Sequence, residues 1–295
     1  MAAIRRSCHS TVSLKTRIMR NDMVRSFKPK SKLLARFIHG FSTFEKGCDL
    51  NINFAAFPHV GPGLALFENA RLEMKGRHLN ITPTPNKHIN TVVLGRYTVP
   101  VFITYNGYVN EISVNFTPLG INYFFDDDYS TIAPKNFQHL PGRTWMDFAA
   151  KLFPLDDIHA QLELFEDFLA TQFRPRPLDR LQRSIDLFMA GDSDCRISQA
   201  AEMSGMNERT FRRNFNQFMG CSPVIFKRIV RFRKAIDLTR MNGQFNSLTR
   251  LGQESLFYDS AHFAREYKLF TGMNPKSFFS SVAFLGNSEY PYVFL

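Results

Sequence analysis

Cysteine is scarce and scattered: Cys8, Cys48, Cys195 and Cys221 are the only four in 295 residues, and no two form a CxxC pair. That spacing offers no zinc-ligand framework, and a chain of this length can build a core without disulfides. Long apolar runs are missing too, and none approaches the roughly 20 residues needed to cross a bilayer. No membrane partner is expected, and a reducing cytoplasm is the expected compartment. Clustered histidine is also absent. His39, His59, His78, His88, His139 and His159 are spread out with no HxH or HExxH among them, so no metal, cofactor or catalytic residue is assigned. The first 30 residues have no apolar core of a secretory signal. They read as a disordered extension, or as residues upstream of a start at Met19 or Met23, in preference to an organelle transit peptide.

The charge is unevenly placed. Residues 1–36 carry 10 Lys/Arg and 1 acid, residues 37–173 carry 9 and 14, and residues 174–295 carry 18 and 11. A basic module beside a mildly acidic one suits a nucleic-acid binder with a separate, non-binding domain. The composition, 44% hydrophobic and 21% charged, excludes a wholly disordered chain.

From Phe27 to about Phe153 short β-prone segments alternate with turn clusters. Asp49–Phe54, Leu64–Phe67, Thr91–Val93, Val99–Ile103 and Ile112–Phe116 are separated by His59–Gly63, Thr82–Asn86, Asn106–Gly107 and Pro118–Gly120. This pattern predicts a β sandwich or barrel. Apolar spacing predicts a helix over Lys32–Gly40, with Leu33, Leu34, Phe37 and Ile38 on one face, and two more at Thr144–Leu152 and Ile158–Thr171. Arg174-Pro175-Arg176-Pro177 then breaks the chain. The expected class is α+β in two domains, a β-rich sandwich or barrel-like domain with flanking helices followed by an all-α domain. The expected divisions are an extension over 1–26, a β-rich domain over 27–173, a linker over 174–179, a helical domain over 180–280 and a tail over 281–295. Asp126-Asp127-Asp128 reads as a solvated turn in preference to a cation site, and the abundant aromatics read as core in preference to the lining of a ligand pocket.

The last third repeats itself. Phe211, Phe215, Phe218, Gly220 and Pro223 recur as Phe263, Tyr267, Phe270, Gly272 and Pro275 at a constant offset of 52. Aromatics at i, i+4 and i+7 make one buried stripe on a helix. Gly220 and Gly272 can take the left-handed conformation that ends it, and Ser222-Pro223 and Asn274-Pro275 start the next helix. Upstream of the first stripe lie a short helix (Ile197–Ser204), a turn at Gly205 and a cap at Asn207. Upstream of the second lie Ser247–Ser255, a turn at Leu256–Tyr258 and a cap at Asp259. Helix, tight turn and capped helix is the helix-turn-helix plan, whose second helix enters the major groove. Between the units, Pro223–Met241 reads as one helix of about 28 Å, with Phe226, Ile229, Val230 or Phe232, Ala235 and Ile236 inward. With the first stripe buried, Glu208, Arg209, Arg212, Arg213 and Asn216 are left exposed near the start of their helix.

These motifs, with Gly220-Cys-Ser-Pro223, Arg231-Phe-Arg-Lys-Ala235 and Tyr258-Asp-Ser-Ala-His-Phe263, make Leu181–Phe279 resemble the DNA-binding domain of the AraC/XylS family of transcriptional regulators. The resemblance implies base contact from Arg209, Arg212 and Arg213, where arginine can pair with guanine O6 and N7 or only hold a phosphate. In the second unit the corresponding positions are Ala261, Ala264 and Arg265, of which only Arg265 is an evident reader and Ala261 could at most touch a thymine methyl, with Ser260 and Lys268 suited to phosphates and His262 structural. The family places a Gly-Phe pair at the second turn, where this chain has Leu256-Phe257. A leucine there would be strained at positive φ, so another turn geometry is expected. A fainter resemblance to the family's β-rich N-terminal domains rests on Phe27-Lys-Pro-Lys and Ile112–Gly120 with Tyr123-Phe-Phe. The implied partners are double-stranded DNA, an unidentified small-molecule effector, RNA polymerase and a second copy of the chain. Two roles for the β-rich domain stay open, ligand sensing and dimerisation. The rival to a regulator is a ligand-binding or enzymatic β-domain with a helical interaction tail.

Overall fold

The computed structural model describes residues 24–44, 51–85, 88–135, 137–190, 195–242, 247–284 and 291–295. Residues 1–23, with Met19, Met23 and most of the expected extension, lie outside the described residues, as do Cys8, Cys48 and the first two residues of the expected strand at Asp49–Phe54. In chain order the first strands are β1 (Val24–Phe27), β2 (Ile38–Phe44), β3 (Asn51–Ala56), β4 (Gly63–Glu68), β5 (Ala70–Lys75) and β6 (His78–Pro83). They are followed by β7 (Ile89–Leu94), β8 (Val101–Asn106), β9 (Asn110–Phe116), β10 (Phe137–His139), β11 (Val282–Phe284) and β12 (Pro291–Phe294).

Two six-stranded sheets result. One has the order β1-β2-β9-β4-β7-β10 and the other β11-β12-β3-β8-β6-β5. All pairs are antiparallel except β6 with β8. The middle strands of the first sheet are buried on both faces. Leu64, Leu66, Val93, Ile112 and Val114 pack under helices through Trp145, Phe148 and Phe165. The alternate residues Ala65, Phe67 and Val92 face Ile52, Phe54, Leu79 and Ile103 of the second sheet. This explains why β4 and β7 read as apolar runs, whereas β8 alternates buried and less buried positions.

The helices are α1 (Tyr129–Ile132), α2 (Thr144–Leu152), α3 (Ile158–Gln172), α4 (Asp179–Met189) and α5 (Ile197–Met203). They continue as α6 (Glu208–Met219), α7 (Pro223–Asn242), α8 (Leu248–Glu254), α9 (Ser260–Thr271) and α10 (Pro275–Ser281). None among the described residues is long and apolar enough to cross a membrane.

Three sequence expectations need correction. No α-helix forms over Lys32–Gly40. A single 3-10 turn at Leu34–Arg36 leads into β2 at Ile38, because pairing with β1 on one side and β9 on the other satisfies this backbone and overrides the helical spacing. Strand β1 starts at Val24, inside the segment read as an extension. Finally, the segment after α10, read as a tail, returns to the β-rich domain. There β12 pairs with β3 through Tyr292–Ala56, Val293–Ala55 and Phe294–Phe54.

That return gives the C-terminal region two anchors on the β-rich domain. The first unit shares a core with the helices and first sheet through Phe211, Phe215 and Phe226. The second unit shares one with Ala55 and Phe57, beside Phe232, Phe263, Tyr267 and Phe278. Helix α7 contributes to both cores, Phe226 and Val230 to the first and Ile229 and Phe232 to the second.

Candidate nucleic-acid interface

Helix α6 begins where Asn207 accepts a hydrogen bond from the Thr210 amide at 2.9 Å and ends at Gly220 with φ 66°. Helix α9 repeats this, with Asp259 accepting from His262 N at 2.6 Å and Gly272 at φ 75°. Each cap satisfies one of the amides that a helix start leaves unpaired. The stripes are buried as the repeat requires, with Phe211, Phe215, Phe263, Tyr267 and Phe270 all 2% exposed or less. Phe218 is half-buried, and Met219 takes the fully buried place below it.

Burial of that stripe turns the polar residues outward. Glu208, Arg209, Arg213 and Asn216 are exposed on α6, and Arg212 is held against Glu208 by an ion pair of 2.6 Å. On α9, Ser260, Ala261, Ala264, Arg265 and Lys268 are exposed. Among the described residues Arg209, Arg213, Arg265 and Lys268 make no ion pair, so their charges are available to an anionic partner. His262 is structural, packed edge-on against Phe257. Glu266 makes a two-pronged ion pair with Arg228 at 2.8 and 2.9 Å, and Tyr267 Oη donates to Phe232 O at 3.1 Å. Both contacts lock α9 onto α7.

The turns of the two units have the same geometry. Gly205 sits at φ 63° and Leu256 at φ 66°. Their amides donate to Glu202 O at 2.8 Å and Gln253 O at 2.9 Å. The different turn expected at Leu256 is therefore not formed. The hydrogen bonds of the turn, together with burial of Phe257 behind it, hold the leucine in a conformation suited to glycine. The second unit has one more residue between turn and cap, Tyr258, which is 92% exposed.

Sequence reading missed the contacts that tie α6 to the β-rich domain. The Arg96 guanidinium donates to Met219 O at the last turn of α6 and to Val60 O at 2.7 Å, where a cation also meets the negative end of the helix dipole. Arg96 itself is 4% exposed and lies against the rings of Tyr129 and Phe226. Asn122 Nδ2 donates to Phe218 O at 2.9 Å, and Gln217 donates to Asp128. Asp126 and Asp127 are exposed in a bend, as a solvated turn requires, whereas Asp128 is an anchor, which corrects that reading for this one residue. Asp128 pairs with Arg176 at 2.7 Å, and Arg176 also binds the carbonyls of Phe125 and Asp126. Only the acidic run and the arginines of the linker were visible signals.

A second feature lies between the sheets, a cavity of about 140 Å³ bordered by residues of both sheets including Glu111, Tyr97, Tyr105 and Tyr292.

Residues 200–281 match the family model described as a helix-turn-helix domain. No curated protein matches the chain. Among solved structures, ToxT from Vibrio cholerae is 12% identical, covering 76% of this chain and 92% of its own, with a TM-score of 0.46. Wild-type ToxT bound to an unsaturated fatty acid gives 12% identity, 78% and 91% coverage and a TM-score of 0.44. A Chromobacterium violaceum transcriptional regulator of the AraC-type DNA-binding kind is 20% identical, covering 34% of this chain and 88% of its own at a TM-score of 0.30. The match at residues 200–281, together with the paired caps, stripes and glycine stops, identifies this segment as a helix-turn-helix domain.

Proposed function

We propose that the chain is a sequence-specific DNA-binding transcriptional regulator, with α6 and α9 as major-groove readers and the β-rich domain as a ligand sensor. The observation that carries this reading is the pair of twelve-residue helices, each capped, each buried on one stripe, and each presenting basic side chains that make no ion pair among the described residues. In this reading Arg209, Arg212 and Arg213 read bases or grip phosphates, Glu208 and Asn216 offer further polar contacts, and Ser260, Arg265 and Lys268 hold the second site. Ala261 can only meet a thymine methyl. Arg96, Asn122 and Asp128 supply the coupling, because a shift in the β-rich domain acts directly on the end of α6. The cavity between the sheets favours sensing over a purely dimerising role.

Selection of bound duplexes from a random library with the full chain tests the reading and yields an operator. On that operator Arg213→Ala is expected to lose about 5- to 150-fold in affinity, the equivalent of about 1–3 kcal/mol for a guanine contact. It should also relax preference at one base position if the contact is to guanine, or lower the salt slope by about one if it is to a phosphate. A variant that binds like wild type at several salt concentrations would sink the assignment of α6 as reader.

A further inference from the structure

The cavity between the sheets has an unusual lining for its size. Aromatic rings of Phe44, Phe54, Tyr97, Tyr105 and Tyr292 surround the carboxyl group of Glu111. One carboxyl oxygen accepts from Tyr105 Oη at 2.5 Å and the other from Ser113 Oγ at 2.8 Å. Each oxygen retains further accepting capacity. Tyr97 Oη is buried with no hydrogen-bond partner among the described residues. No lysine or arginine among them lines this space, and burial drives the pKa of His59, at its edge, well below the usual range, so that ring is neutral.

Each class of ligand meets this lining differently. A carboxylate would face Glu111 with no Lys or Arg among the described lining residues to offset it. A plain hydrocarbon would leave the Tyr97 hydroxyl and the carboxyl lone pairs without partners. An ammonium group brings three donors, enough for Glu111 and Tyr97, and the surrounding ring faces attract its charge. The volume, about 140 Å³, is close to the ~150 Å³ of an apolar cavity that holds benzene. We propose that this cavity is the effector site and that it takes a small aromatic amine, one ring on a short aminoalkyl arm, with its ammonium on Glu111 and Tyr97. This rests on the reading of the β-rich domain as a sensor. The ligand would also touch Tyr292 on β12, the strand that follows the second helix-turn-helix unit and is paired to β3, which gives binding a route to the DNA-reading helices.

The pairing requires an ionised Glu111. The titratable groups facing it are Tyr105 from β8, Tyr97 after β7 and Tyr292 from β12, with His59 at the edge of the cavity and the buried Arg233 acting on both His59 and Tyr292. Arg25, Asp156 and Asp157 line a second cavity that shares Glu111, Thr43 and Phe44. Burial pushes the Glu111 pKa up to about 7. Affinity for an amine that stays protonated should therefore rise about tenfold from pH 6 to pH 8, as the ionised fraction of Glu111 rises.

Titration calorimetry on the full chain, with benzylamine and phenethylamine against phenylacetate and toluene, tests the proposal. The amines should bind, more tightly at pH 8 than at pH 6, and the other two should not. Glu111→Gln should weaken amine binding by at least about thirtyfold, as expected for removing one partner of a buried charge pair, and abolish its pH dependence. Tyr97→Phe, a smaller change that keeps the ring, should weaken it severalfold and covers the case in which Glu111→Gln does not fold. Phenylacetate binding as tightly as the amines, no binding of either amine, or unchanged affinity in a folded Glu111→Gln would each overturn the amine assignment. Binding of the wild-type chain to its selected duplex is measured alongside. If duplex binding persists while amines fail, only the ligand class is wrong; if duplex binding itself fails, the regulator reading falls.

Discussion

Helices α6 and α9 are both twelve residues long, begin on an Asn or Asp cap and stop on a left-handed glycine, yet their surroundings differ at both ends. At its start α6 presents Arg209, Arg212 and Arg213, whereas α9 presents Ala261, Ala264 and Arg265. At its finish α6 meets the β-rich domain, where Arg96, Asn122 and Tyr129 hold its last carbonyls and its glycine. The glycine ending α9 has nothing within 4 Å of where a side chain would go. The second unit is instead fastened from behind, by Arg228 to Glu266 and by the strand pair that follows it. One plan therefore sits in two settings, fastened at the end of α6 to the β-rich domain and from behind at α9. On the proposed function these become two jobs, a reader under control of the other domain and an anchor fixed to the scaffold.

The largest expected effect separates those jobs directly. Arg209→Ala with Arg213→Ala should cost affinity for the selected operator by about a hundredfold or more, and flatten base preference, since each lost arginine contact is worth about 1–3 kcal/mol. Arg265→Ala with Lys268→Ala should cost about tenfold, reduce the salt slope by about two and leave base preference largely intact. Gel-shift titrations on a panel of single-base operator variants at three salt concentrations measure all of this. A second-unit double variant that hurts more, or that erases base preference, would reverse the division of labour.

Much of this domain was legible from one repeat. Asn207, Asp259, Gly220, Gly272 and the aromatic stripe each follow from local rules about how a helix starts, stops and buries one face, and local rules act within a few residues. The contacts that distinguish the units were not legible, for a physical reason. Arg96 and Asn122 bind the carbonyls of Met219, Phe218 and Val60, and every residue carries a carbonyl, so no side-chain pattern marks the recipient. The same holds for β12, whose ladder with β3 is made of backbone groups. The hairpin of β5 and β6 was missed because Ala70–Lys75 is charged and only partly buried. The helix expected at Lys32–Gly40 shows the opposite error, a helical spacing overruled by two strand partners.

A matched pair of glycine substitutions measures how firmly α6 is docked. Gly272→Ala forces a side chain into a left-handed backbone and should cost about 1 kcal/mol. Gly220→Ala carries the same strain, and its added carbon would also overlap the Tyr129 ring, so a total of about 2–4 kcal/mol is expected once overpacking is included. Urea unfolding of both variants gives the difference. Equal losses would mean that the β-rich domain does not press on the end of α6.

The smallest effect lies in the turns. Gly205 and Leu256 share one conformation, at φ 63° and 66°, and only the first residue is suited to it. Replacing a residue by alanine ordinarily destabilises less than replacing it by glycine, because glycine frees the unfolded chain. At position 256 the order should invert. Leu256→Ala gives up half-buried apolar surface and keeps the backbone strain, whereas Leu256→Gly gives up the same surface and releases it. The glycine variant is expected to be the more stable of the two by about 1 kcal/mol and to lie within about 1 kcal/mol of wild type, since strain relief and lost packing nearly offset. Thermal and urea unfolding of the two variants decide the order. If alanine proves the better residue, the second turn is relaxed around leucine in a way the first turn is not, and the likeness of the two units ends at their caps.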